Sequence, residues 1–241
     1  MQFASPDFIC SCFLIAKFSF TYFYKNMKVN SVSGQNFQSR NQTIRFADDI
    51  ARRVNIFYPR VSSTIFEDFN NVDKFRNLMS RLFDEINIMR EYKLDLVYSA
   101  KSTISKIGAL IYPISLYHCG NCRESAQLGV IAAKVNGIKN CFLASIHTSD
   151  GTSLDHGVAY VDDKKPYIID TWLGFADYVP NAINRYKSEY LHHFDANTNT
   201  KMKFVKKDGS YDYFLNLELE QADLEKLRKY LPGLVIKKTE L

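Results

Sequence analysis

Glycine is scarce in this 241-residue chain, at 10 residues, proline scarcer still at 6, and Trp172 is the single tryptophan. A composition so poor in glycine and proline excludes collagen-like and linker-type low-complexity architectures. Five cysteines (Cys10, Cys12, Cys119, Cys122 and Cys141) are too few, over this length, for the dense disulfide framework of a small secreted domain, so reduced thiols are the expectation. No charge sign dominates: the formal net charge is +5. The basic runs Lys201 to Lys207 and Lys226 to Lys229 sit among acids and read as solvated faces rather than as a nucleic-acid surface. A long apolar run is also missing. Phe8 to Tyr24 comes nearest, but Lys17 interrupts it and it is short for a bilayer, so no stable membrane span is expected.

What is present is an ordinary globular composition, 46% hydrophobic and 24% charged, enough to bury a substantial core. Residues 1–40 form a separate N-terminal segment. Its start carries Asp7 and no lysine or arginine, unlike a secretory signal, while Asn30 to Ser39 is a polar Ser/Asn/Gln-rich run expected to be flexible. Met27 offers an alternative start that would make 1–26 an upstream extension.

From residue 41 onward the pattern is that of one α+β domain, 41–241. Ile44, Ala47, Ile50, Val54 and Phe57 recur at helical spacing, and Val72, Phe75, Leu78, Met79, Leu82, Phe83, Ile86 and Met89 form a second stripe. Both are expected to face the core. Leu94 to Leu110 continues the helical pattern, with an end expected near Pro113. Asn121 then stands as an N-cap with Glu124 three residues on, in capping-box spacing, and Asn136-Gly137 supplies a stop. The helix between them is apolar on nearly every side, as befits a central helix. Cys122 falls at its first residue, where unpaired N–H groups and the helix dipole favour a thiolate.

Strands follow at Asn140 to His147, His156 to Val161, Pro166 to Trp172, Met202 to Val205 and Tyr211 to Leu217. Helices are expected at Tyr178 to Leu191 and Glu220 to Tyr230, the latter stopped by Pro232. A cysteine opening a helix, a histidine on one strand and an aspartate on the next is a common construction for a thiol nucleophile. In a hairpin, His156 and Asp170 share a face only if the numbers of paired residues sum to an even value. A turn centred on Asp163, with Val161 opposite Lys165, would make them direct neighbours; an even-length turn would separate them.

Gly120-Asn121-Cys122 with Glu124 and Ala126, Asp155-His156-Gly157-Val158, and Ile169-Asp170-Thr171-Trp172-Leu173-Gly174 together resemble the papain-like and transglutaminase-like Cys-His-Asp superfamily. The likeness covers roughly residues 115 to 180. It is greatest to bacterial effector and toxin domains that deamidate or cleave host proteins, of the kind found at the C-terminus of Pasteurella multocida toxin, and the segment after Met27 is similar to disordered export signals of type III effectors. The resemblance implies a papain-like fold with a helical layer on a mostly antiparallel sheet. It also implies Cys122 as nucleophile, His156 as base and acid, Asp170 as the residue orienting His156, and the Cys122 N–H as oxyanion donor. Asn121, Arg123, Glu124 and Trp172 would support the site or contact substrate, Glu124 chiefly as a cap and Trp172 by shielding His156 and Asp170 from water.

The implied activity is hydrolysis of an amide of a host protein by a secreted effector, with glutamine deamidation as the first choice. Cysteine protease, transglutaminase or arylamine-type acyltransferase chemistry is the alternative on the same triad, and a cytoplasmic location the alternative to secretion. No cofactor and no metal are required. Two departures stand out: Arg123 follows the nucleophile where glycine is common, and Asp170-Thr171-Trp172 replaces Asp-Pro-Trp. Cys119-Gly120-Asn121-Cys122 also fits a C-x-x-C redox motif with Pro166 as a cis-proline, although the chain before it reads as helical rather than as the βαβ unit such a motif needs. Zinc held by Cys119, Cys122 and histidines, or a non-catalytic interaction module, are further alternatives. His118, His147, His192 and His193 read as structural or exposed, and Cys141 as strand core.

Overall fold

A computed structural model describes residues 42–59, 72–189, 201–207 and 211–236, with the side chains of 72–79 and 189 outside the description. The N-terminal readings, from Phe8 to Ser39, lie outside the described residues, as do His192 and His193. Among the described residues four helices come first: α1 (Gln42–Phe57), α2 (Val72–Ser99), α3 (Thr103–Tyr117) and α4 (Cys122–Val135). Strands β1 (Cys141–Thr148), β2 (Ser153–Val161), β3 (Tyr167–Asp170) and β4 (Phe175–Tyr178) follow as a meander, then α5 (Val179–Glu189), β5 (Met202–Lys206) and α6 (Gln221–Tyr230). All pairings are antiparallel and the sheet order is β4-β3-β2-β1-β5. The α+β expectation holds in this form: a helical part packed on a five-stranded antiparallel sheet.

Alternation along the strands divides the core. Leu143, Ala159, Val161, Tyr167 and Ile169 join α1 to α4 on one face, while Val158, Ile168, Phe175, Ala182 and Tyr186 pack with α5 on the other. Ile44, Ala47, Ile50 and Val54 are buried as their spacing predicts, and buried Asp48 ties α1 to the sheet by accepting the Ala176 N–H at 2.6 Å. Phe57 and Phe83, at the margins of their stripes, are exposed instead. The α4 helix is buried from Glu124 through Val135. Gly129 lets it lie against the sheet, since a Cβ there would stand 3.0 Å from Thr171 Cγ2 and 3.3 Å from Ala159 Cβ.

Several boundaries differ from expectation. Pro113 does not end a helix; it is buried inside α3, and the break falls at Ala100–Ser102, where Ser102 and Ser105 form a capping box. Burial of Ile107, Leu110, Ile111 and Ile114 favours continuing the helix through a proline in its last turns. The Tyr211 to Leu217 strand is corrected to a short 3-10 turn, Tyr213–Asn216. Phe214 and Leu215 turn into the helix-side core there, and Asn216 Oδ1 accepts the Leu143 N–H at 2.9 Å in place of strand pairing. Phe175–Tyr178 is an additional strand, and the described part of α5 begins at Val179.

Candidate functional site

The start of α4 is fixed from both sides. Glu124 reaches back so that its Oε2 accepts the Asn121 N–H at 3.0 Å, as the capping-box spacing predicts. The same carboxylate, fully buried, accepts from Arg90 Nε at 3.0 Å, Arg90 Nη2 at 2.9 Å and Lys93 Nζ at 2.8 Å, all from α2. Burial alone would raise the Glu124 pKa, but Lys93 and Arg90 outweigh it and hold the carboxyl well below the usual range. Glu124 is therefore a cap and an ionic anchor, and its partners left no mark in the local pattern because they lie more than thirty residues upstream. Gly120 completes the approach: a Cβ on it would stand 2.8 Å from Glu124 Cβ.

Arg123, next to Cys122, turns inward. Its Nε and Nη2 bond Asp212 at 3.2 and 3.0 Å, and its guanidinium lies 4.5 Å from the Tyr211 ring centroid. Asp212 also accepts from Gln127 Nε2 at 2.6 Å. Arg123 thus anchors α4 to the chain after β5.

His156 and Asp170 meet on the α5 side of the sheet. Val161 pairs with Tyr167, Tyr160 with Ile168 and Ala159 with Ile169, so the sum is even and the two residues share a face. The turn is of odd length but centred on Lys164, not Asp163, which corrects the expected pairing of Val161 with Lys165. By this register His156 and Asp170 are diagonal rather than opposite. Their side chains bridge the offset, with His156 Nε2 2.7 Å from Asp170 Oδ2. A carboxylate only accepts, so Nε2 carries the proton and Nδ1 is left for another partner.

Cys122 stands beside the ring: its side chain is among the groups that hold the His156 pKa up, and its sulfur lies 3.4 Å from the Asp155 carbonyl oxygen. A bulge brings the histidine there. Ser145 pairs with Gly157 but His147 with Ser153, so Ile146 faces three residues of β2, and Asp155 takes the left-handed φ of 48°. Aspartate tolerates that conformation better than most residues. Gly157, the next residue after the histidine, lies against the first turn of α4, where an added Cβ would stand 3.6 Å from the Cys122 carbonyl oxygen.

Asp170 is fully buried and fully used. Oδ1 accepts the Trp172 and Leu173 N–H groups at 3.0 and 2.9 Å, and Oδ2 accepts the Tyr186 hydroxyl at 2.7 Å besides His156. Burial would raise its pKa, yet His156 and these donors hold it low. His156 is only 3% exposed, and burial would depress its pKa; Asp170 and the Cys122 side chain reverse that and push it up to about 10. The imidazole therefore carries a proton at neutral pH. Trp172 stands edge-on to it at 5.3 Å and Tyr186 at 5.7 Å. Tyr186 is the functional residue that sequence reasoning missed, because nothing local marks a helix tyrosine sixteen residues past the aspartate as its donor.

The remaining candidates sort by burial. Cys119 is 1% exposed, and Cys141 is a buried strand residue whose thiol burial pushes up to about 12, whereas Cys122 is partly exposed. No cis peptide occurs among the described residues, so Pro166 is trans, and helices rather than a βαβ unit precede the C-x-x-C. Among the described residues there is no group of three histidines, cysteines or acids that could hold a metal, and no helix is long and apolar enough to cross a membrane. His147 is held by Ser145 Oγ and the Gly151 carbonyl oxygen, both at 2.9 Å, and His118 caps α3 in a left-handed conformation. Comparison with protein-family models, curated proteins and solved structures finds no match to this chain, so what the site can do is argued from its own geometry.

Proposed function

We propose that the protein is a cysteine-nucleophile amidohydrolase of papain-like type, acting on an amide of a protein substrate. The observation that carries the reading is one buried imidazole set between a helix-start cysteine on one side and a fully satisfied aspartate on the other. Three elements far apart in the chain supply these groups, and a merely structural histidine would not need a thiol partner at an accessible helix start.

The chemistry follows from the parts. The Cys122 thiolate, accepting from the imidazolium, attacks the amide carbonyl carbon, and the oxygen takes up the displaced electron pair beside the Cys122 N–H, one of the donors a first helical turn leaves unpaired. His156 gives its proton to the departing nitrogen, leaving a thioester. It then takes a proton from water, whose hydroxide displaces the sulfur to give the acid and restore the thiolate. Asp170 keeps Nε2 protonated and the ring in plane throughout. With ammonia as the leaving group the product is a deamidated glutamine, and with an amine it is a cleaved chain.

Glutamine deamidation of a host protein by a secreted effector is the reading the motif resemblance favours. Cys122→Ala abolishes activity and labelling by a thiol alkylator, whereas Cys119→Ala retains both. Intact mass of a candidate substrate separates the outcomes: a gain of about one dalton is deamidation, and fragments are proteolysis. Equal damage from Cys119→Ala with a cycling disulfide would instead establish redox chemistry.

A further inference from the structure

Two cations converge on one carboxylate at the start of the helix that carries the candidate nucleophile. Glu124 carries one negative charge, while Lys93 and Arg90 bring two positive ones. Arg123 and Asp212 neutralise each other alongside, so the cluster keeps one positive charge in excess. Lys93 is wholly buried and spends its ammonium on Glu124 and Gln127. Arg90 differs: its side chain is 34% exposed, and with Nε and Nη2 on Glu124 its Nη1 makes no hydrogen bond among the described residues.

The guanidinium is also close to the chemistry. The Glu124 Oε2 that accepts from Arg90 Nη2 accepts from the Asn121 N–H as well, which puts Arg90 two hydrogen bonds from the residue preceding Cys122. We propose that Arg90 is a specificity-determining residue, selecting substrates that carry a carboxylate beside the amide to be attacked. This rests on Cys122 being the nucleophile. Glu124 fixes the plane of the fork, so its unused edge is pre-organised for an anion. The electrostatic coupling agrees, since a charge on Cys122 is among the groups that raise the Arg90 pKa. The opposing charge is the Asp155 carboxylate, whose backbone oxygen touches the sulfur, but that residue is exposed and solvent screens it.

Two small alkylating reagents test this without a known substrate. Iodoacetate and iodoacetamide form the same S–C bond with the thiolate and release the same iodide, differing in the carboxylate beside the reacting carbon. Rates at Cys122, located by mass spectrometry in the full chain, are expected to give an iodoacetate-to-iodoacetamide ratio that falls about three- to tenfold in Arg90→Gln, as loss of one nearby charge requires. Arg90→Lys should keep most of the ratio, and high salt should compress it in the unaltered protein. Lys93 still pairs with Glu124 in both variants. An unchanged ratio in Arg90→Gln, with Cys122 still reacting with iodoacetamide, overturns the role of Arg90 alone; if Arg90→Gln does not fold, a ratio in the unaltered protein that ignores salt does the same. A Cys122 no faster than free cysteine with either reagent overturns the nucleophile reading as well.

Discussion

Removing one hydroxyl, in Tyr186→Phe, tests whether the aspartate is held as a charged group. The ring is fully buried and its contacts with His156 and Phe175 persist in phenylalanine, so the change isolates the 2.7 Å bond to Asp170 Oδ2. A hydrogen bond to a buried charge contributes about 1.5–3 kcal/mol. For a chain of this size that corresponds to a fall in Tm of roughly 3–12 °C. The pH dependence carries the sharper demand. Asp170 has a folded pKa below its ordinary 3.8, so it contributes stability present above 3.8 and lost as pH falls through the folded value. Without the hydroxyl that depression is smaller, so the variant loses less on acidification and the gap between the two proteins narrows below pH 3.8. Urea unfolding followed by circular dichroism at pH 7 and at steps downward measures both quantities. A stability gap below about 0.5 kcal/mol at pH 7, or one that stays constant through acid, refutes the hydrogen-bonded carboxylate as the reason Tyr186 is buried there.

The other expectations concern the same site. Asp170→Asn removes the main cause of the raised His156 pKa, so the alkaline limb of the proposed hydrolase activity, set near pH 10 by loss of the imidazolium, moves downward; the pH–rate profile reads this directly. The His156 contribution to stability has the complementary sign, being complete below about 6.5 and lost as pH rises towards about 10. Glu124→Gln leaves Lys93 as a buried charge without its counter-ion and costs about 3–5 kcal/mol in denaturant unfolding, an outcome that a purely local cap would not produce. Gly120→Ala forces a Cβ to 2.8 Å from Glu124 Cβ, costs about 1–3 kcal/mol, and slows alkylation of Cys122 by displacing the helix start.

Much of the frame was legible because it is local. Helical stripes marked α1 and part of α2, the capping box marked the start of α4, and the parity of the β2–β3 pairing was the right condition for His156 to share a face with Asp170. Errors arose where a neighbour decided the outcome. Pro113 is tolerated because the buried face around it keeps α3 going, and Tyr211 to Leu217 turns instead of extending because Phe214 and Leu215 enter the helix-side core.

The sequence by itself determined which residues are chemically able: a cysteine at a helix start, a histidine and an aspartate on adjacent strands, and a glutamate three residues past an N-cap. Local periodicity and hydrogen-bonding capacity suffice for that. Only the tertiary structure decided how they are used. The bulge opposite Ile146 brings His156 to Cys122, Tyr186 completes Asp170, and Arg90 and Lys93 come from thirty residues upstream to hold Glu124. Buried charge accounts for the division: a carboxylate in the core is stable only with every lone pair met, and the partners that meet them are chosen by packing across the fold rather than by nearness in the chain.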